Sequence, residues 1–584
     1  MKTIKLFIEQ FSLIKRLLPY IQKHKTKYFA ALLLSLALTV VSISKPLILK
    51  LIIDEAVQAK SESTLIAYSA LFVLMLCIGV FGGYKQLVLM SEFGIDMINS
   101  VKRDLFDHIL KLGLRFFNKH QVGWIMSRIE SDTEELKNFC SRLTIHLLMD
   151  ILSFVGVFCI MFYYDQQIAG MIACVCAALF FMVLFFINYM KKIYNKARSA
   201  YATLSGFIAE YVCAIEIIQM YDQKEKLKQL LSQVTKDRYD IELHSQKLEN
   251  GFWGLFRFFT ESLLIIIILW VGIPQLMAKT MSLGKLIMFL EFSVQMTRPL
   301  FAVSENFNNI QRALVSLTRV CGLLDEKPDV DTGEKLEQAF HSTIEFKGVD
   351  FFYNEDKKVL KNVNFSINKG EKIALVGPSG GGKSTIASLL CRFYDPTIGD
   401  VLVDGKKLSD IHVSSWRAQL GLVLQDVFLF GGTILDNLRV LDDSFEVSKV
   451  VDAAKNLGAD SFISNLPNGY ETELKEKGKN LSQGEKQLLS FSRAMTFNPE
   501  ILVLDEATAS IDPHTEYLIQ KGLDTLLEGR TALIIAHRLS TIKNVDKILF
   551  VENGEIIEQG SHIELIAQKG RYFDMLNLQL QQSA

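Results

Sequence analysis

Apolar residues dominate six stretches in the first half of the chain, at Tyr28 to Ile53, Leu65 to Leu89, Leu147 to Tyr164, Ile168 to Met190, Phe252 to Leu276 and Leu283 to Val303. A helix needs about 20 such residues to cross a bilayer core, so the pattern predicts six membrane-spanning helices. The fifth contains Leu263 to Trp270, an unbroken run of bulky apolar side chains. Beyond residue 340 the texture changes. Short apolar runs at Ile344 to Phe346, Lys372 to Val376, Gly421 to Leu424, Ile501 to Leu504, Thr531 to Ala536 and Lys547 to Val551 alternate with helical segments. That alternation predicts an α/β domain with a largely parallel sheet.

Charge then orients the spans. The loops after the second and fourth are rich in Lys and Arg (Lys102, Arg103, Lys111, Arg115, Lys119, Arg128; Lys191, Lys192, Lys196, Arg198, Lys224, Lys226), whereas the other connections hold only Lys60 and Lys279. The positive-inside rule places both termini and both long loops in the cytoplasm of a multi-pass protein of the cell membrane. Helical periodicity continues through Ile95 to Leu136 and Tyr194 to Lys247, with turning points near Asn118 to Gly123 and Ala214 to Asp222. The expected architecture is a membrane all-α domain, six transmembrane helices with long cytoplasmic extensions, over residues 27–324, and an α/β domain over 341–584. A basic interfacial helix (1–26) contacts membrane lipid, and a polar linker (325–340) joins the two domains. The eight cysteines lack metal-ligand spacing and read as small buried hydrophobes. A net charge of -1 gives no bulk attraction for nucleic acid.

Candidate chemistry concentrates in the second half. Gly377, Pro378, Ser379, Gly380, Gly381, Gly382, Lys383, Ser384 and Thr385 spell G-x-x-x-x-G-K-S-T between a strand and a helix. In that setting the glycines let backbone N–H groups curl around phosphate, Lys383 reaches the β/γ-phosphates of ATP, and the Ser384 hydroxyl meets Mg²⁺. The motif makes the domain over 341–584 an α/β P-loop nucleotide-binding domain. The apolar run Ile501 to Leu504 ends in Asp505 and Glu506. Asp505 is expected in the Mg²⁺ shell and Glu506 as the group that polarises an attacking water.

With these motifs in place the whole chain resembles the ATP-binding cassette (ABC) exporters, in particular half-transporters that fuse one six-helix membrane domain to one nucleotide-binding domain. The resemblance rests also on Tyr353, Gln425 in Leu424-Gln-Asp426, Leu481-Ser-Gln-Gly-Glu-Lys-Gln487, Ser510-Ile-Asp512 and Ala536-His-Arg538, all in the family's order. It implies that Tyr353 stacks on adenine, that Gln425 touches Mg²⁺ and the attacking water, and that His537 supports hydrolysis. It also implies that Ser482 and Gly484 grip the γ-phosphate held by a second half-transporter, with Asp512 in the D-loop beside that site. The two turning points resemble the family's coupling helices. One departure stands out: where the family reads L-S-G-G-Q, this chain has Gln483 and Glu485. A side chain at 483 crowds the approach and a carboxylate at 485 adds negative charge, which favours a heterodimer with unequal sites over a homodimer. The resemblance implies export of hydrophobic or amphipathic compounds of the multidrug type, with a lipid flippase, a peptide exporter, and an ATP-gated channel or regulatory subunit as alternatives. Glu261, Glu291 and Asp150, near Arg257, Lys285 and Arg298, are expected either to form interhelical ion pairs or to meet substrate.

Overall fold

The computed structural model describes residues 13–57, 61–329, 333–336, 339–353, 357–475, 478–505, 513–536 and 542–583. It divides into two compact units, one formed by Met1–Lys111 with His120–Lys327, the other by Leu112–Lys119 with Pro328–Ala584.

Six long helices build the first unit: α1 (Lys25–Val57), α2 (Glu62–Ile109), α3 (Val122–Tyr164), α4 (Gln166–Cys213), α5 (Lys224–Met277) and α6 (Leu283–Leu324). The first five are long and apolar enough to cross a membrane. The sixth expected span lies in α6, but Lys285, Glu291 and Arg298 make that stretch more polar than the other five. Side chains such as Val80, Phe81 and Tyr84 on α2 are exposed on the protein surface, as lipid-facing groups are. The helices nevertheless share a core, in which Phe256 and Ile268 of α5 meet Phe289, Phe292 and Met296 of α6.

Short connections are fixed by polar caps. Asp165 accepts the N–H groups of Gln167 and Ile168 at 3.0 and 3.1 Å, which starts α4. Ser282 caps α6 and donates to Asp54 at 2.5 Å, while Asp54 also accepts the N–H of Gly284 at 2.8 Å. The long loops instead contain short helices. Ile215–Met220 sits between Ala214 and Asp222, where the sequence places a turning point. The other short helix, Leu114–Lys119, precedes most of the predicted turn at Asn118 to Gly123, so the chain breaks on both sides of it rather than once.

Part of the basic N-terminal segment expected to face lipid is tied to protein. Arg16 forms two 2.8 Å bonds with Asp325, and Tyr20 donates to Asp104 at 2.9 Å. His24 meets Ser100 at 3.2 Å and Lys27 pairs with Asp96 at 2.6 Å. The partners Asp96, Ser100 and Asp104 are four residues apart on α2, so one face of that helix receives the segment. The cysteines divide: Cys140, Cys176, Cys321 and Cys391 are buried as expected, but Cys77, Cys159, Cys174 and Cys213 are exposed.

The described residues of the second unit form twelve strands: β1 (Thr343–Phe352), β2 (Lys358–Asn368), β3 (Lys372–Val376), β4 (Ile398–Val403), β5 (Lys406–Lys407), β6 (Leu420–Val423), β7 (Gly432–Thr433), β8 (Glu473–Leu474), β9 (Ile501–Asp505), β10 (Thr531–Ile535), β11 (Lys547–Glu552) and β12 (Glu555–Gly560). Six form a sheet in the order β12-β11-β3-β10-β9-β6, parallel except for the antiparallel edge strand β12. Four more form an antiparallel sheet, β2-β1-β4-β5, and β7 pairs with β8. Central strands are apolar between their end residues because both faces are covered. Ala374, Ala532, Ile534, Leu502 and Leu504 pack into one core, and their neighbours Ile373, Leu375, Leu533, Ile535 and Val503 into another.

Candidate functional site

The parallel sheet gathers the expected nucleotide residues at its carboxyl edge, where α/β sheets bind ligands. Along the order β3-β10-β9-β6, the glycine-rich loop follows β3, Asp505 ends β9, and Gln425 lies just beyond β6. Residues as far apart in sequence as Gly377 and Asp505 thus come from adjacent or near-adjacent strands. Glu506, Asp512 and His537 lie outside the described residues.

Glycine is required in the loop on two counts. Gly377, Gly380 and Gly382 have φ of 140°, 79° and 110°, in the left-handed region that disfavours side chains. Space is also lacking: a Cβ on Gly377 would lie 2.1 Å from the Val551 carbonyl oxygen, and one on Gly382 would lie 2.7 Å from Leu360 Cδ2. A backbone bond from Gly554 N–H to Gly381 O, 3.0 Å, pins the loop to the β11–β12 turn. Pro378, Ser379 and Gly380 are left exposed, and helix α7 (Lys383–Leu390) begins directly after them. The helix aims its N-terminal N–H groups at the loop, an arrangement suited to phosphate.

Lys383 is 6% exposed, and its Nζ donates to the carbonyls of Gly377 at 2.8 Å and Pro378 at 2.9 Å. Burial pulls its pKa down, opposed by the negative charge of Asp505. The ammonium is therefore held inside the loop by two neutral acceptors, which a triphosphate oxygen can outcompete because it is charged. Ser384 is exposed at the start of α7. The hydroxyl of Ser384, carboxylate of Asp505 and amide oxygen of Gln425 are hard oxygen donors, the kind Mg²⁺ takes together with phosphates. Among the described residues there is no cluster of three or more His, Cys, Asp or Glu that could hold a metal without them.

Tyr353 stands beside this loop. Its hydroxyl lies 3.2 Å from Thr385 Oγ1, and its ring meets Phe351 and Tyr394 edge-on, at centroid distances of 4.8 and 5.2 Å. With 36% of its surface exposed, the ring can still receive a flat partner. Sequence reasoning missed Tyr394, for which the only signal was an aromatic pair, Phe393-Tyr394, just after α7.

The Leu481 to Gln487 stretch opens helix α8 (Gln483–Phe497) with a capping box. Glu485 N–H donates to Ser482 Oγ at 3.3 Å, while the Glu485 carboxylate accepts Ser482 N–H at 2.7 Å and Ser482 Oγ–H at 2.8 Å. Glu485 is thus folded back onto its own helix start. A Gln at this place could form the same box, so the departure from the family pattern changes charge more than shape. Gln483 is exposed, and Gly484 is buried: a Cβ there would meet Thr515 Cγ2 at 2.1 Å.

In the membrane unit, Glu261 lies 3.8 Å from Arg257 within α5, an exposed pair on one helix rather than an interhelical one. Among the described residues, no ion pair within 4.0 Å joins Asp150 or Glu291 to Lys285 or Arg298. An all-apolar cavity of about 430 Å³ lies among α3, α4 and α6, walled by Phe154, Phe158, Phe180, Phe181 and Pro299.

Comparison with known proteins bears on both halves of the chain. Residues 28–300 match the family model of the ABC transporter transmembrane region and residues 360–509 match that of the ABC transporter. A probable multidrug resistance ABC transporter ATP-binding/permease protein of Bacillus subtilis is 33% identical over 87% of this chain and 77% of its own length. A putative multidrug export ATP-binding/permease protein of Staphylococcus aureus is 32% identical over 97% of this chain and 100% of its own. An ATP-dependent lipid A-core flippase of Syntrophus aciditrophicus is 30% identical over 98% and 96%. A solved bacterial Atm1-family ABC exporter with ATP bound aligns with a TM-score of 0.76 at 26% identity, covering 95% of this chain and 98% of that one. The chain carries its membrane helices and its ATP-binding fold in one polypeptide, and it belongs to the ABC exporters, multi-pass membrane proteins that hydrolyse ATP to drive transport.

Proposed function

We propose that this chain is one half of a dimeric exporter that drives hydrophobic or amphipathic compounds of the multidrug type out across the cell membrane by alternating access. Both termini and the nucleotide-binding domain face the cytoplasm, on the side of the Lys- and Arg-rich loops. The observation that carries the substrate class is the all-apolar, phenylalanine-walled cavity among α3, α4 and α6, which suits an apolar moiety and offers no polar side chain for a peptide. The multidrug names of the Bacillus and Staphylococcus relatives support this reading, and the lipid flippase relative favours a lipid as second choice.

In the ATP site Lys383 leaves the Gly377 and Pro378 carbonyls for the β/γ-phosphates, and Tyr353 stacks on adenine. Ser384, Asp505 and Gln425 would hold Mg²⁺, which when bound would neutralise part of the phosphate charge. Glu506 polarises the attacking water, with Gln425 and His537 in support. Ser482 and Gly484 of one protomer, beside Asp512, complete the site on the partner.

The test compares the chain in its native membrane complex, wild type against Lys383→Ala and Glu506→Gln, in sealed inverted vesicles of the source cells, using a fluorescent hydrophobic dye and a fluorescent phospholipid. Wild type accumulates the dye against a gradient, Lys383→Ala loses ATP binding, and Glu506→Gln binds ATP but turns over slower by about a hundredfold or more. Near-normal ATPase activity in Glu506→Gln would refute its assignment, and equilibration without accumulation would replace the pump by a channel.

A further inference from the structure

The aromatic cluster beside the glycine-rich loop reaches a segment that belongs, by sequence, between two membrane helices. Tyr353, Phe351 and Tyr394 form a three-ring group, with Phe351 4.8 Å from Tyr353 and 5.5 Å from Tyr394, and Tyr353 5.2 Å from Tyr394 at 87°. The Tyr394 hydroxyl accepts a hydrogen bond from Asn118 Nδ2. Asn118 lies in the short helix Leu114–Lys119, which packs as part of the second unit although the chain on either side runs into α2 and α3. The segment's other end is docked as closely: Leu112 is buried, and a Cβ on Gly113 would lie 2.2 Å from Asp329 Oδ2.

Downstream, rigid groups continue along the chain. His120 stacks on Trp124 at 4.1 Å and 18°, and Trp124 lies under the Arg128 guanidinium at 4.4 Å. Arg128 reaches Asp132 at 3.4 Å, and the buried Asp132 carboxylate accepts Ser316 Oγ of α6 at 2.7 Å. Asn118 is therefore two residues from the start of a side-chain series that ends on α6.

We propose that Tyr394 and Asn118 act as positioning residues that report adenine occupancy, so that the base, and not the phosphates alone, sets the position of the Leu114–Lys119 helix. The proposal rests on the reading of Tyr353 as the base-stacking residue. Phosphates are met by the glycine-rich loop and Lys383, whereas the base meets the Tyr353 ring, which packs against Tyr394 edge-on. A base laid on Tyr353 restricts the tilt of that ring and thereby selects one orientation of its perpendicular neighbour. Tyr394 holds Asn118 by a single directional bond, so reorienting the phenol moves or releases the helix. A ligand shifts such an element only through differential contact with its two positions, and the base provides one that inorganic triphosphate lacks.

The test uses the purified full chain in bilayers of phosphatidylcholine and phosphatidylglycerol, with Trp124 emission isolated by subtracting the Trp124→Phe variant. ATP is compared with inorganic tripolyphosphate, each at saturation judged by displacement of a fluorescent ATP analogue. ATP is expected to shift Trp124 emission and tripolyphosphate to leave it unchanged. Asn118→Ala and Tyr394→Phe are expected to reduce the ATP-induced shift at least threefold, with ATP affinity within about threefold of wild type. The double variant should lose no more than either single one, because both remove the same bond. Equal shifts with ATP and tripolyphosphate, a wild-type shift in Asn118→Ala, or additive losses in the double variant would each overturn the proposal. Unchanged ATP affinity in Tyr353→Ala would remove the underlying reading and the proposal with it, and the displacement titration reports that failure separately.

Discussion

Tyr353 has two features that substitution can separate. In the proposed reading its ring offers a face to adenine, and its hydroxyl lies 3.2 Å from Thr385 Oγ1 in α7, directly after the glycine-rich loop. Tyr353→Ala removes both and is expected to weaken ATP binding about tenfold, equivalent to about 1 to 2 kcal/mol. Tyr353→Phe keeps the ring and gives up only one part-buried hydrogen bond, worth about 0.5 to 1 kcal/mol, so its affinity should fall two- to fivefold. A fluorescent-nucleotide titration separates the two, and equal losses in both variants would transfer the role from the ring to the hydroxyl. The role expected of Tyr353 came from the resemblance to the ABC exporters, and the bond to Thr385 could not be read there. A hydroxyl 32 residues upstream meets Thr385 only because β1 and α7 share a core, with Phe351 and Ile386 both buried in it. Glu485 shows the same limit differently. Its charge was legible, but its direction was not, since only the Ser482 capping box turns the carboxylate back onto its own helix.

At the scale of elements, legibility followed burial. Strands β3, β9, β10 and β11 lie inside the parallel sheet with both faces covered, and their continuous apolar runs announced them. β2 reads K-V-L-K-N-V-N-F-S-I-N and β12 reads E-I-I-E-Q-G, strands with one polar face whose alternation is diluted by Asn, Lys and Gln. For that reason the antiparallel sheet was legible only in its Ile344 to Phe346 run, inside β1. Asp350 of β1 ties two of its strands together, its carboxyl held below the usual range by the Lys358 ammonium at 2.6 Å and by Asn362 N–H at 2.7 Å. Asp436 is likewise held down by Thr433 N–H in the cap that follows β7. A carboxyl with a depressed folded-state pKa stabilises fully above its unfolded value, near 4, and the contribution is lost as pH falls through the folded value. Thermal unfolding of the full chain in detergent should therefore show Tm falling below about pH 4. Asp350→Asn, which cannot lose a charge, should start from a lower Tm at pH 6 and fall less steeply. A slope identical to wild type would mean that Asp350 adds nothing to acid sensitivity.

For the whole molecule the open quantity is the composition of the dimer, and the signature helix bears on it directly. Ser482 directs both its N–H and its hydroxyl at the Glu485 carboxylate, at 2.7 and 2.8 Å. A γ-phosphate arriving from a second chain would have to share those donors with a fixed negative charge, whereas a glutamine at 485 would leave the helix start neutral. Gln483 is exposed and adds bulk on the same turn, while Gly484 stays glycine for the additional reason that helix Pro513–Leu527 packs against it through Thr515. In a homodimer both ATP sites would inherit this weakened half. A partner with a neutral signature would instead complete the site built on this chain's own Lys383 and Glu506, leaving the other site to hold ATP with little turnover. The chain expressed alone is thus expected to give low ATPase activity, and Glu485→Gln, which preserves the cap while removing the charge, should raise it severalfold with little change in Tm. Glu485→Ala should raise activity less and lower stability by up to about 1 kcal/mol, because the carboxylate half of the capping box is lost with the charge while Ser482 Oγ keeps the backbone N–H of residue 485. A two-fold dimer of this chain alone that hydrolyses ATP at full, dye-stimulated rates and accumulates the dye in vesicles would show that Glu485 swings clear when the sites close, and that no second gene product is needed.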